Sequence, residues 1–179
     1  MKTKRVLAST VLGLGLALGN YNARADSIKI NEAVTDPQVD RDGSGTIGAG
    51  DEFFELYNPT NSAINLEGWT LEMIDGTPAI QNLSGSIETL SYSSILNPMD
   101  QMNNTINLYL KDNLGSLVDS LQILDGNANN PSDESVSRFP DGGLNIVRTY
   151  ATYNGPNVPE PATCYALTGL VALASRRRR

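Results

Sequence analysis

Short runs in which apolar and polar residues alternate occupy the middle of the chain, and turn-forming residues separate them. The run SIKINEA places Ile28 and Ile30 on one face, and the run EFFELYN does the same for Phe54 and Leu56. A period of two is typical of half-buried strands, whereas an amphipathic helix repeats its apolar residues every three or four positions. These runs therefore predict strands.

The same pattern continues in AINLEGWTLEMI, TINLYLK and SLVDSLQIL, at residues 63–74, 105–111 and 116–124. The intervening segments DGTP, DNLG and DGNANNPSD are rich in Asp, Asn, Gly and Pro, which accept positive φ or fix the direction of a turn. Between the two ends of the chain, no segment carries a convincing helical stripe. The sequence therefore predicts an all-β sandwich.

The first 25 residues have the order of parts of a secretory signal peptide. Three basic residues precede an apolar run at residues 6–18, and Ala23-Arg24-Ala25 supplies small residues at positions minus three and minus one. The apolar run is short for a bilayer span of about 20 residues, which disfavours a membrane anchor. We predict export and cleavage after Ala25.

The last 22 residues, 158–179, combine Val158-Pro159-Glu160-Pro161, a mostly apolar segment and four terminal arginines. This order resembles the bacterial PEP-CTERM sorting signal. The resemblance implies a tail that holds the exported protein transiently in the inner membrane until an exosortase-type transpeptidase processes it. Arginines would stay cytoplasmic, although the apolar segment, residues 162–175, is short for a span. The alternative is a frayed basic tail on a soluble protein.

Between these ends lies one predicted domain, residues 26–157, whose length suits a single hydrophobic core. It contains five basic and nineteen acidic residues, a formal charge of −14. Such a surface repels phosphates, so we expect no nucleic-acid partner. Divalent cations or basic partners suit it better.

Two residue types that support catalysis are missing from the predicted domain. The chain has no histidine, which excludes Ser-His-Asp and Cys-His catalysis and zinc sites built on imidazole. Its one cysteine, Cys164, lies in the sorting tail, so the domain has neither a disulfide nor a thiol nucleophile. The sequence indicates no catalytic residue.

An acidic loop, DRDGSGTIGAGD, separates the first two predicted strands. Positions 1, 3, 5, 7 and 12 of the EF-hand calcium pattern correspond to Asp40, Asp42, Ser44, Thr46 and Asp51. In that pattern alternating oxygens converge on one cation, Thr46 offers its carbonyl, and Gly45 permits the sharp turn. Two departures are the flanking strands and a twelfth residue shorter than Glu, for which Glu52 is an alternative unless the strand points it elsewhere.

The loop is also long for a connection between strands, which favours a functional role. We therefore predict a weak Ca²⁺ site that orders the loop, with calcium versus magnesium left open. The alternative is a turn whose charges are simply solvated.

Five segments in order, IKINEA, DEFFELYNPT, INLEGWTL, INLYLKDNLGSLVDSLQI and SRFPDG, resemble the bacterial lamin tail domain across about residues 28–157. The resemblance implies an immunoglobulin-like β-sandwich and a noncatalytic interaction or tethering module in exported proteins. We expect Phe54, Leu56 and Trp69 to be core residues, with Trp69 packed between the sheets.

Taken together, these features predict an exported, noncatalytic interaction module of the cell envelope or extracellular matrix. Its partners would be the sorting enzyme and an envelope protein or extracellular polysaccharide. One alternative is a carbohydrate-binding module, suggested by the tyrosines at positions 57, 92, 109, 150 and 153. A second, less expected alternative is a calcium-dependent phosphodiesterase that uses carboxylates for acid and base steps.

Overall fold

The computed structural model describes residues 27–96, 98, 102–124 and 133–159. Within these ranges the chain forms one turn of 3₁₀ helix, Ala49–Asp51, and no α-helix. The strands are β1 (Lys29–Val34), β2 (Phe53–Tyr57), β3 (Ile64–Asn65), β4 (Thr70–Ile74), β5 (Ala79–Asn82), β6 (Ser86–Ile87), β7 (Tyr92–Leu96), β8 (Ile106–Lys111), β9 (Leu117–Ile123), β10 (Glu134–Arg138), β11 (Ile146–Tyr150) and β12 (Val158–Pro159).

The strands form two large antiparallel sheets, with orders β12-β11-β10-β1-β2-β7 and β5-β4-β8-β9. Strands β3 and β6 form a separate short pair. Apolar residues from the two large sheets enclose one core, which includes Ile28, Ile30, Phe54, Leu56, Leu71, Met73, Leu108, Leu110, Leu121 and Ile123. The chain is therefore all-β, with the immunoglobulin-like sandwich that the sequence predicted.

Each of the five alternating runs contains at least one strand, and two of the three predicted core residues are fully buried. Phe54 and Leu56 lie in the core as expected. Trp69 is half-buried and packs against the margin of the core from the residue before β4. The predicted signal peptide and most of the sorting tail lie outside the described residues.

A buried ion pair, Asp119 with Arg138, joins the two large sheets at a contact called here the seam. Strand β10 pairs with β1 only at Glu32 and Ala33, which leaves the backbone of Ile30 without a strand partner on that side. The Ile30 N–H instead donates to Asp119 Oδ2 at 2.8 Å, and Arg138 Nε donates to the Ile30 carbonyl at 2.9 Å. Arg138 Nη2 also lies 3.1 Å from Asp119 Oδ2. Asp119 of β9 and Arg138 of β10 thus satisfy the buried backbone groups of Ile30 that β10 leaves unpaired.

The outer face of the larger sheet is polar and nevertheless buried. Ser135, Ser137 and Thr149 are each at most 3% exposed, and Glu32 and Glu55 are fully buried. The covering element is a segment at residues 151–157, called here the strap, which follows β11. It crosses the sheet as far as β7, where Asn154 and Ser94 exchange two hydrogen bonds, and then returns to β12.

Candidate metal-binding loop and sorting motif

The acidic loop brings three of its predicted ligands together. Asp40, Asp42 and Asp51 each place one carboxylate oxygen within 4.8 Å of the other two. Asp40 and Asp42 are exposed, whereas Asp51 ends the 3₁₀ turn and is 1% exposed. The site is therefore an exposed acidic cluster built on one buried carboxylate.

Asp51 is the residue around which the loop closes. Its Oδ1 accepts hydrogen bonds from the N–H groups of Asp42 at 3.0 Å and Arg41 at 2.6 Å, and its Oδ2 accepts one from Gly48 at 2.9 Å. These backbone bonds, with that from Asp42 the strongest, hold the pKa of Asp51 below its ordinary value. The buried carboxylate is thus ionised at neutral pH.

Asp40 organises the first turn of the loop. Its Oδ1 accepts a hydrogen bond from Gly43 N–H at 2.7 Å, and its Oδ2 accepts one from Gly45 N–H at 2.8 Å. The φ angle of Gly45 is +83°, in the left-handed region that favours glycine. Gly45 thus makes the turn expected at the sixth position of the calcium pattern.

Ser44 and Thr46 lie beside the three carboxylates but are engaged with each other. The Ser44 N–H donates to Asp42 Oδ1 at 2.8 Å, and Ser44 Oγ donates to the Thr46 carbonyl at 3.0 Å. Glu52 points away from the loop, because its buried Oε2 accepts a hydrogen bond from Met102 N–H at 2.6 Å. Glu52 is therefore not the twelfth residue of the site, and Asp51 occupies that place.

The one arginine of the loop turns its side chain out of the acidic cluster. The guanidinium of Arg41 pairs with Asp133 and lies over the Phe53 ring, 5.0 Å from its centroid. Across the described residues, no cationic side chain forms an ion pair with Asp40, Asp42 or Asp51. The charge of Arg41 acts on Asp51 without a direct ion pair.

The carboxylates of the cluster are close enough in pairs to share a cation. Two oxygens bound to one Ca²⁺ at about 2.4 Å are at most about 4.8 Å apart, and each pair in the cluster meets that limit. Each carboxylate oxygen has about two lone pairs, so the backbone hydrogen bonds leave room for a cation. A Cβ at Gly50 would overlap the Asp42 carboxylate in its present position, so a side chain there would displace that carboxylate from the cluster.

The predicted sorting motif begins inside the folded domain. Val158 and Pro159 form β12, in which Val158 is opposite Tyr150 and Pro159 is opposite Thr149 of β11. Glu160 and Pro161, the second half of the motif, lie outside the described residues. The larger sheet therefore extends two residues beyond the predicted domain end at Asn157.

Comparison with known families matches two parts of the chain. The Lamin Tail Domain family matches residues 22–125, which is more than half of the sequence. The chain belongs to the lamin tail domain family. The PEP-CTERM protein-sorting motif matches residues 157–179, whereas no curated protein matches the sequence significantly.

These matches confirm the family and the sorting signal predicted from the sequence, and both are noncatalytic types. The sorting motif implies export to the cell envelope or extracellular space and processing by exosortase-type machinery. In the part of the chain that the structure describes, no helix is long and apolar enough to cross a membrane. The family match stops at Asp125, although β10, β11 and β12 complete the larger sheet of this lamin tail domain.

The tyrosines that suggested carbohydrate binding are divided between different surfaces of the lamin tail domain. Tyr57 and Tyr92 stack on each other with ring centroids 4.8 Å apart, and both are half-buried. Tyr153 packs edge-on against Phe53, and Tyr109 belongs to β8 in the smaller sheet. Tyr109 therefore belongs to a different sheet from Tyr57 and Tyr92.

Sequence reasoning missed the carboxylates beneath the strap. Glu32 and Glu55 are opposite each other on β1 and β2. Burial, together with the adjacent Glu32, raises the pKa of Glu55 to about 7, and burial also raises the pKa of Glu32. Their partners in the strap are about 100 residues away in sequence, so no local pattern identifies this network.

Proposed function

We propose that this lamin tail domain protein is an exported, noncatalytic interaction module of the cell envelope or extracellular matrix, with a calcium ion in its acidic loop. The observation that carries the proposal is the direct continuity between a complete sandwich and a sorting motif. The domain would be exported and sorted through its motif. It would act by binding a partner through its surface rather than through an active site.

In this proposal Asp40, Asp42 and Asp51 hold the calcium ion. The Ser44 hydroxyl and the Thr46 carbonyl are adjacent oxygens that become ligands if their mutual hydrogen bond opens. The ion supplies positive charge among three carboxylates and so offsets their repulsion. Its role is to order the loop, and its affinity falls in the weak range of extracellular modules, about 10⁻⁴ to 10⁻³ M.

Thermal unfolding of a purified chain that spans residues 26–159 tests the calcium site. Melts are recorded with calcium, with magnesium and with chelator, for the wild type and for Asp40→Ala/Asp42→Ala. We expect calcium to raise the midpoint of the wild type and to leave that of the variant unchanged, because a ligand that binds only the folded state stabilises it.

A matched control removes the same charge elsewhere. Glu67→Ala/Glu88→Ala deletes two exposed carboxylates outside the loop, and its calcium response should equal that of the wild type. An equal loss of response in both double variants would mean that calcium acts through net charge. No response of the wild type at millimolar calcium would make the loop a solvated turn.

The proposed partners are an envelope protein or an extracellular polysaccharide, in addition to the sorting enzyme. The formal charge of −14 on residues 26–157 favours a basic protein surface or a cation-bridged polymer. Pull-down with purified matrix polysaccharide and with envelope extract distinguishes the two classes. Fractionation of cells that express the full chain tests the transient inner-membrane stage, because a membrane-bound precursor should precede the released form.

A further inference from the structure

The strap is fixed to the larger sheet by hydrogen bonds along its length. The Thr152 N–H and Oγ1 donate to the carboxylate of Glu32 at 3.0 and 3.1 Å. The Gly155 N–H donates to Glu55 Oε2 at 3.2 Å. Because both carboxylates are buried beneath the strap, removing it would leave their hydrogen bonds to be replaced by water.

The strap ends at a buried asparagine that immediately precedes the sorting motif. Asn157 is 5% exposed, and its Nδ2 donates to the carbonyl of Arg138 at 2.9 Å. Its N–H donates to Asp141 Oδ1 at 3.0 Å. The chain is therefore anchored at Asn157, and the next two residues form β12 at the edge of the sheet.

No residue lies between the anchor at Asn157 and Val158, the first residue of the sorting motif. Val158 and Pro159 are moreover paired with β11. While they pair with β11, Val158 and Pro159 do not offer the paired side of their backbone to another binding partner.

We propose that the fold masks the first half of its own sorting motif, so that the sorting enzyme engages the motif only after β12 separates from β11. The inference rests on the sorting function proposed above. Two residue pairs at a sheet edge form a unit of low local stability, so β12 can separate while buried groups hold the strap in place. Masking reduces the rate of processing to the rate of the unmasked motif multiplied by the fraction of molecules in which β12 is detached.

Insertion of a six-residue Gly-Ser spacer between Asn157 and Val158 tests the proposal in the full chain. The spacer leaves the strap and the motif sequence intact and allows the motif to extend away from the sheet. The matched control carries the same insertion after Leu114, which is 84% exposed in the turn between β8 and β9. Conversion of the precursor to its shorter product is followed by pulse-chase in cells that carry an exosortase-type enzyme.

We expect the spacer variant to be processed about tenfold faster than the wild type and the control to match the wild type. If the wild type and the spacer variant are processed equally fast, or the spacer variant more slowly, masking is wrong and the sorting function stands. If neither chain is processed although both are exported, the sorting function is wrong and the inference fails with it.

Discussion

At the scale of single residues, Gly50 offers the sharpest test of whether Asp42 is a metal ligand. A Cβ at Gly50 would overlap the end of the Asp42 side chain, which can rotate away with little strain. We therefore expect Gly50→Ala to change stability without calcium only slightly and to weaken calcium binding about tenfold. Isothermal titration of calcium into the two proteins measures this difference.

Gly48→Ala is the matched control for that substitution. A Cβ at Gly48 meets no atom within 4 Å, and alanine keeps the N–H that donates to Asp51. Calcium affinity should remain that of the wild type. Wild-type affinity in Gly50→Ala as well would show that the Asp42 carboxylate does not contact the ion.

Glu55 makes the stability of the domain depend on pH. Its folded pKa of about 7 lies above the ordinary value of 4.5, so the folded state holds a proton more tightly than the unfolded chain. The resulting stabilisation is fully present below about pH 4.5 and is lost as the pH rises through about 7. We expect a loss of about 2 kcal/mol between pH 5 and pH 8 from this group.

Urea unfolding of the wild type and of Glu55→Gln at the two pH values measures this contribution. The glutamine variant should show a smaller pH dependence because its amide does not titrate in this range. An unchanged dependence would assign the effect to other groups, among which Glu32 is the nearest buried carboxylate.

At the scale of the strands, Asp119 and Arg138 take the place of the strand partner that Ile30 lacks on the side of β10. Asp119→Ala would leave the buried guanidinium of Arg138 without its counter-charge and the N–H of Ile30 without its acceptor. Loss of one partner of a buried ion pair typically costs 3–5 kcal/mol, so we expect the free energy of unfolding in urea to fall by about 4 kcal/mol.

The pair of Glu72 and Lys111 is the control for this prediction. It joins neighbouring strands of the smaller sheet at 2.6 Å, with about a quarter to a third of each side chain exposed. Glu72→Ala should therefore cost less than about 1 kcal/mol. Equal costs for the two substitutions would show that the seam is not held by the buried pair.

The same scale explains which strands the sequence could reveal. Strands β8 and β9 bury apolar residues on the core side and alternate clearly. Strands β10 and β11 do not, because Ser135, Ser137 and Thr149 fill buried positions beneath the strap. Their burial depends on a segment whose contacts are distant in sequence, so a search for apolar alternation passes over them.

The acidic loop, unlike strands β10 and β11, could be recognised from the sequence. Its spacing is local, and Asp40, Asp42 and Asp51 do converge as the calcium pattern predicts. The pattern alone could not show that Asp51 is buried or that Arg41 pairs with Asp133, because both facts depend on strands formed elsewhere in the chain. Spacing thus predicted the cluster, and the sandwich determines its electrostatic surroundings.

At the scale of the whole molecule, the family match raises the question of which residues the sandwich needs in order to fold. The family match ends at Asp125, yet β10 lies directly beside β1 in the larger sheet. A chain that spans residues 26–125 would expose the edge of β1 and leave Glu32 and Glu55 without the strap. We expect this chain to lack a cooperative unfolding transition.

Chains that end at Asn157 and at Pro159 locate the end of the domain more finely. Both keep the strap and its buried anchor, and they differ only in β12. We expect both to unfold cooperatively in urea, with the longer chain more stable by about 1 kcal/mol because it adds a short pair of edge strands. Cooperative unfolding of residues 26–125 with equal stability would mean that β10, β11 and the strap are accessory. A lower free energy of unfolding in the chain that spans residues 26–125, but not in the two longer chains, would mean that the folded domain continues as far as the sorting motif.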